Sequence, residues 1–130
     1  MKTISVLIAV DVEGALAGIL QSNVYLIDTN KYAGSGNEGQ ANLKTVCNNG
    51  DVINWRVVPI APSSDVIIDH FSGTMVTEKY CIPQKVVIPA GEYWSGQLQT
   101  QGFIGDVKYN IFLNMHGNVQ SFNPYLVIGG

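Results

Sequence analysis

Oxygen-bearing side chains gather in two short stretches of this chain. Asp28-Thr29-Asn30 sets carboxylate and amide oxygens on alternate positions. Calcium takes six to eight oxygen ligands, so Asp28 and Asn30 are candidate metal ligands with calcium as the candidate ion. The same residues suit an Asx turn, in which the side chain caps nearby backbone. The spacing is not that of an EF-hand loop, and no cofactor is required. Asn30 to Gln40 then forms a polar loop with three glycines, and Ser63-Ser64-Asp65 forms a proline-bracketed corner. Alternating strand direction predicts that loop and corner share one end of the fold. Asn30, Tyr32, Asn37, Glu38 and Asp65 are therefore the candidate ligand-binding residues. Tyr32 offers a face for the C–H surface of a sugar ring, and the amides and carboxylates offer partners for its hydroxyls. A rival end gathers Asp11, Glu13, Asn48, Asn49, Asp51, Glu92, His116 and Asn118.

Catalytic patterns are missing. The two histidines, His70 and His116, stand in no nucleophile–base pattern, and there is no Gly-x-Ser-x-Gly elbow. Gly34-Ser35-Gly36 lacks the following Lys-Ser or Lys-Thr of a phosphate loop. Cys47 and Cys81 lie far from other metal-ligand residues and read as buried reduced thiols. A non-enzymatic protein is expected.

The elements that must position these residues are short strands. The 130 residues include 15 Val and 13 Ile against 8 Leu, a bias that suits a pleated sheet. Turn signals divide the chain into about ten runs: 4–12, 23–29, 42–47, 52–60, 66–72, 74–82, 85–88, 92–101, 106–115 and 119–128. Asn49-Gly50 reads as the turn of a hairpin. Ile53, Trp55 and Val57 share one face of their run, and Val107, Tyr109, Ile111, Leu113 and Met115 share one face of theirs. Pro83 and Pro89 confine Lys85 to Ile88 to an edge strand. A helical turn or two is expected around Glu13 to Leu20. The fold class is all-β: a single domain over 1–130, built as an antiparallel β-sandwich of jelly-roll or immunoglobulin-like type.

Charged residues are only 13% of the chain and the net charge is −3. Seven unclustered Lys and Arg leave little to neutralise a phosphate backbone, which argues against nucleic-acid binding. No apolar run reaches the ~20 residues of a membrane span. Ile4 to Val10 imitates the core of a signal peptide, with Ala15-Leu16-Ala17 as a cleavage-like site. Asp11 and Glu13 interrupt that pattern, so a buried first strand and a cytoplasmic site are expected. So little surface charge predicts a homo-oligomer, a dimer or larger.

Several stretches together resemble the AidA/PixA family of small bacterial inclusion-body proteins. They are Ile4 to Glu13 with Leu16-Ala17, Val24 to Ile27 with Gly34-Ser35-Gly36 and Leu43, Gly50 to Arg56, Tyr93-Trp94, and Phe122 to Ile128. Their order and spacing run over almost the whole chain. The chain departs from the family in its length and in having only 3 Met. The resemblance implies an intracellular bacterial protein that accumulates in inclusions, is expressed with population density or growth phase, and has no known enzymatic activity. Release without a signal peptide is compatible with it. Two functions follow: a self-associating, lectin-like module for a glycan or small polar ligand, or a storage protein with no ligand.

Overall fold

The computed structural model describes residues 2–30, 35–37 and 39–129. Ten strands form two sheets packed face to face, the sandwich expected from the alternation. They are β1 (Thr3–Val10), β2 (Val24–Asp28), β3 (Lys44–Cys47), β4 (Val52–Pro59), β5 (Ile67–Gly73), β6 (Gln84–Ile88), β7 (Gly91–Gln97), β8 (Gly105–Met115), β9 (Asn118–Phe122) and β10 (Tyr125–Ile128). The first sheet runs β2-β1-β4-β7-β6. The second runs β3-β10-β8-β5, with β9 also on β8.

Alternation decides which side chains meet between the sheets. Ile4, Val6, Ile8 and Val10 of β1 are buried while Ser5 and Leu7 between them face outward. Trp55 and Ile53 of β4 meet Tyr109, Ile111 and Leu113 of β8 in the core, all of them fully buried. Val57 is only partly buried. The Trp55 indole N–H donates to the Tyr109 hydroxyl at 3.1 Å, so the largest core side chain leaves no orphaned donor. Phe71 of β5 packs against both Trp55 and Trp94, with ring centroids 4.9 and 5.4 Å away.

Four local features differ from the sequence reading. The pairing is mixed rather than wholly antiparallel: β1 runs parallel to β4, and β3 parallel to β10. Asn49-Gly50 closes no hairpin; it carries the chain from β3 in one sheet to β4 in the other. Residues 74–82 are not a strand. Gly73 takes φ 99°, and a Cβ there would stand 3.0 Å from the Tyr109 Cα, so β5 ends. A single turn, α2 (Thr74–Thr77), follows and buries Met75. The last run is broken at Asn123-Pro124, because Pro124 has no N–H for the ladder; its carbonyl accepts from Tyr109 N at 3.1 Å instead. The helical turn near Glu13 is present as α1 (Val12–Ala17), capped by the Asp11 carboxylate on Gly14 N at 3.0 Å.

Candidate functional site

The mixed topology decides which loops are neighbours. Asp28 pairs with Val6, near the start of β1, and Thr3 pairs with Val52, so the 28–30 turn lies at the end where β4 begins. The 61–65 corner follows β4 at the other end, where Ile60 N donates to Val10 O at 2.8 Å. Asn30 and Asp65 are thus at opposite ends of the sandwich. The expected convergence of the 30–40 loop on Ser63-Ser64-Asp65 does not occur, because β4 returns parallel to β1 instead of antiparallel to β3. The rival set is divided too: Asp11, Glu13 and His116 share the corner's end, whereas Asn48, Asn49 and Asp51 join Asp28. Asp65 is an exposed residue and Asn37 a half-buried one with φ 58°. Tyr32 and Glu38 lie outside the described residues.

The Asp28 end is a closed polar clasp. The five buried polar residues among those described are Asp28, Asn30, Thr45, Asp51 and Thr100, and all belong to it. The Asp28 carboxylate accepts from Asn30 N and from the Thr45 hydroxyl, both at 2.8 Å. The Asn30 side chain donates to Val46 O and accepts from the Lys2 ammonium. The Asp51 carboxylate accepts from Lys2 N at 3.1 Å and Asn48 N at 2.9 Å. Thr100 N donates to the Asn49 side-chain oxygen at 2.9 Å. Asp28 and Asn30 therefore stand in the Asx geometry and bind the second sheet to the first. Among the described residues no three His, Cys, Asp or Glu side chains come together as a cation site.

What the loops lack, the outer face of the first sheet carries. Outward residues of neighbouring strands form two rows. Ser5 and Asn54 lie in the low row. Ile27, Leu7, Arg56 and Tyr93 form the tall row, because Leu7 pairs with both Ile27 and Arg56. The step between the rows makes a concavity of about 310 Å³. On the β1–β2 side it is lined by Val6, Leu7 and Ile27 together with Ser5, Asp28 and Thr29. On the β4–β7 side the Arg56 guanidinium lies 5.9 Å from the centre of the Tyr93 ring. The Asn54 side-chain oxygen is buried with no donor among the described residues. Sequence reasoning passed over this face because its members alternate singly along four strands. Only the register of those strands collects them.

The second unguarded feature is an edge. Three of the five edge strands are covered: Gly39 N donates to Leu26 O at 2.6 Å on β2, Gly36 and Lys44 exchange backbone bonds on β3, and on β9, which pairs only with β8, the Gln120 side chain accepts from Leu20 N and donates to Ala15 O. A bulge between Ile68 and His70 breaks the rim of β5. β6 pairs with β7 on one side, and among the described residues no segment bonds to its other side. Val87 on this strand is 73% exposed, with Lys85 held 3.8 Å from Glu92.

The two thiols are inert. Both are buried and unpaired, and burial pushes Cys47 and Cys81 up to about 12, Asp51 adding to the effect at Cys47.

A mixed, open sandwich with a closed polar end and one bare edge places the molecule among non-barrel β-sandwich proteins. Its fold is that of the inclusion body protein PixA from Burkholderia cenocepacia J2315. That crystal structure superposes with a TM-score of 0.71 over 99% of this chain and 94% of the other, at 13% identity. The sequence itself matches a family described as a domain of unknown function, DUF8788, over residues 2–121, and the chain belongs to that family. No curated protein matches the sequence. No helix among the described residues is long and apolar enough to cross a membrane.

Proposed function

We propose that this is a non-catalytic protein that works by self-association, and that its free β6 edge is where two copies meet. The observation that carries the reading is the rim of β6, bare among the described residues, beside four edges that are covered or bulged. The strand is also self-complementary. Pro83 and Pro89 stand three residues either side of Val86, so antiparallel pairing of two copies about Val86 sets each proline opposite the other. No N–H is then needed where none exists. The pairs are Gln84 with Ile88 of the second copy, Lys85 with Val87, and Val86 with itself. Exposed Val87 gains a neighbour, and the two five-stranded sheets become one of ten. The structural likeness to an inclusion body protein, and a cytoplasmic site in inclusions, are consistent with it. The lectin-like alternative drew its residues from two loops that the fold holds apart. The Asp28 and Asn30 oxygens proposed for calcium are taken up by backbone, Thr45 and Lys2.

Charge placement tests the pairing. Val87→Lys sets like charges opposite Lys85 at two symmetric positions, each costing ~0.2–1 kcal/mol, or roughly ten-fold in dimer dissociation together. The fold itself is spared, since Val87 already lies opposite Glu92 on β7. Adding Lys85→Glu restores opposite charges across the interface. Sedimentation equilibrium should show dimer, weakened dimer and restored dimer in that order. A parent chain that sediments at 14.1 kDa at micromolar concentration, or three identical profiles, would overturn the reading.

A further inference from the structure

We infer that the outer-face concavity of the first sheet is a binding site for a small hydroxy acid: an apolar body, a carboxylate and one hydroxyl. Three independent features select that chemistry. First, among the described residues no carboxylate pairs with Arg56; the ion pairs are Lys44–Asp106, Asp69–His70 and Lys85–Glu92. Arg56 is an exposed cation in the middle of a sheet, held over the Tyr93 ring with its fork of donors free for a planar anion. Second, the buried Asn54 side-chain oxygen has no donor. Native structures rarely leave such an atom unmet; Asn54 lines the concavity, and rotation of its amide brings the oxygen to the ligand, whose hydroxyl supplies the missing donor. A hydroxyl is also the group that satisfies either end of an amide, whichever way Asn54 is turned. Third, Leu7 and Ile27 present apolar surface beside these polar groups; they are 37% and 49% exposed. Asn54 precedes Arg56 by two residues on one strand, so their side chains point the same way, about 6.6–7 Å apart along it. That spacing suits a carboxylate and hydroxyl on one short molecule with its apolar body lying toward β1 and β2. The volume, about 310 Å³, is at the small end for ligand sites and matches a small molecule.

This inference is separate from self-association, since two copies joined through β6 keep both outer faces open on the same side of the joined sheet. Three probes test it by titration with amide chemical shifts as the readout: 3-phenyllactate, 3-phenylpropanoate without the hydroxyl, and 3-phenylpropane-1,2-diol without the carboxylate. Phenyllactate should shift the amides of Ser5, Leu7, Arg56 and Tyr93. Loss of the carboxylate, or Arg56→Gln, should weaken binding about ten-fold or more. Loss of the hydroxyl should weaken it several-fold in the parent and leave it unchanged in Asn54→Leu. Absence of shifts at millimolar phenyllactate overturns the proposal. So does equal binding of all three probes, or binding that Arg56→Gln leaves intact. The parent spectrum reports folding of each variant, and Arg56→Lys separates charge from shape: it keeps partial binding if Arg56 holds the carboxylate.

Discussion

Two residues of the same type can have opposite meanings, and partners decide which. Asp28 resembles a cation ligand in sequence, yet both its oxygens are spent on Asn30 and Thr45 at the join of the two sheets. Asp28→Ala should therefore cost ~1–3 kcal/mol in urea unfolding, as expected when buried donors lose their acceptor. Asp65→Ala, on an exposed corner, should stay within ~0.5 kcal/mol. Equal effects would show that the clasp carries no stability. Tyr109→Phe removes the acceptor of the buried Trp55 N–H and should cost ~1–3 kcal/mol with little loss of volume. The thiols set the alkaline limit. Cys47 and Cys81 ionise at about 9.0 when unfolded and at about 12 when folded. Burial also raises the Tyr109 phenol. A folded state that holds its protons longer than the unfolded chain loses stability as pH rises. These groups should leave the melting temperature unchanged below pH 9 and lower it from there to pH 12. A Cys47→Ala, Cys81→Ala variant should fall less steeply; an identical slope would contradict the assignment.

Strand identity was legible at the scale of the element, and strand company was not. Period-2 alternation located β4 and β8 and their buried faces, because a half-buried strand must alternate, whereas β1 was legible only as a buried apolar run. It missed α2, since Thr74, Val76 and Thr77 are poor helix formers turned by the geometry at Gly73. It also made one strand of β9 and β10, although Pro124 marks the break. Pairing order was out of reach. β3 joins β10, some 80 residues later, and no local signal records that contact. The candidate site divided with it: Asn30 and Asp65, assigned to one end by alternating direction, fell at two ends once β1 and β4 proved parallel. Close approach between elements was equally hidden. A Cβ on Gly96 of β7 would sit 2.5 Å from the Cys81 sulfur. Gly96→Ala should cost ~1–3 kcal/mol by overpacking, and Cys81→Ala should relieve part of that cost. Additive losses in the double variant would mean that the two positions do not touch.

The whole molecule is a sandwich closed at one end by a polar clasp and covered or bulged along four edges, leaving the rim of β6 bare among the described residues and a concave outer face open. A chain with 13% charged residues and a 73%-exposed valine on an open edge has little to keep copies apart. The proposed pairing through β6 rests on the positions of two prolines as much as on apolar surface, and that would make its register specific. Val86 then faces its own counterpart across the two-fold axis. Directly opposed residues of antiparallel strands have Cα atoms ~4.5–5.5 Å apart, inside the ~4.4–6.8 Å that a disulfide spans. Val86→Cys should thus oxidise to a covalent dimer under mild conditions. The native thiols, buried and shifted up to about 12, do not compete. Gln84→Cys alone should stay uncrosslinked, because its partner is Ile88 of the second copy. Non-reducing mass analysis of the two variants side by side is the most direct test of the β6 interface. Complete dimer for Val86→Cys with monomer for Gln84→Cys is the predicted result. Monomer for both, or equal cross-linking of both, would contradict it.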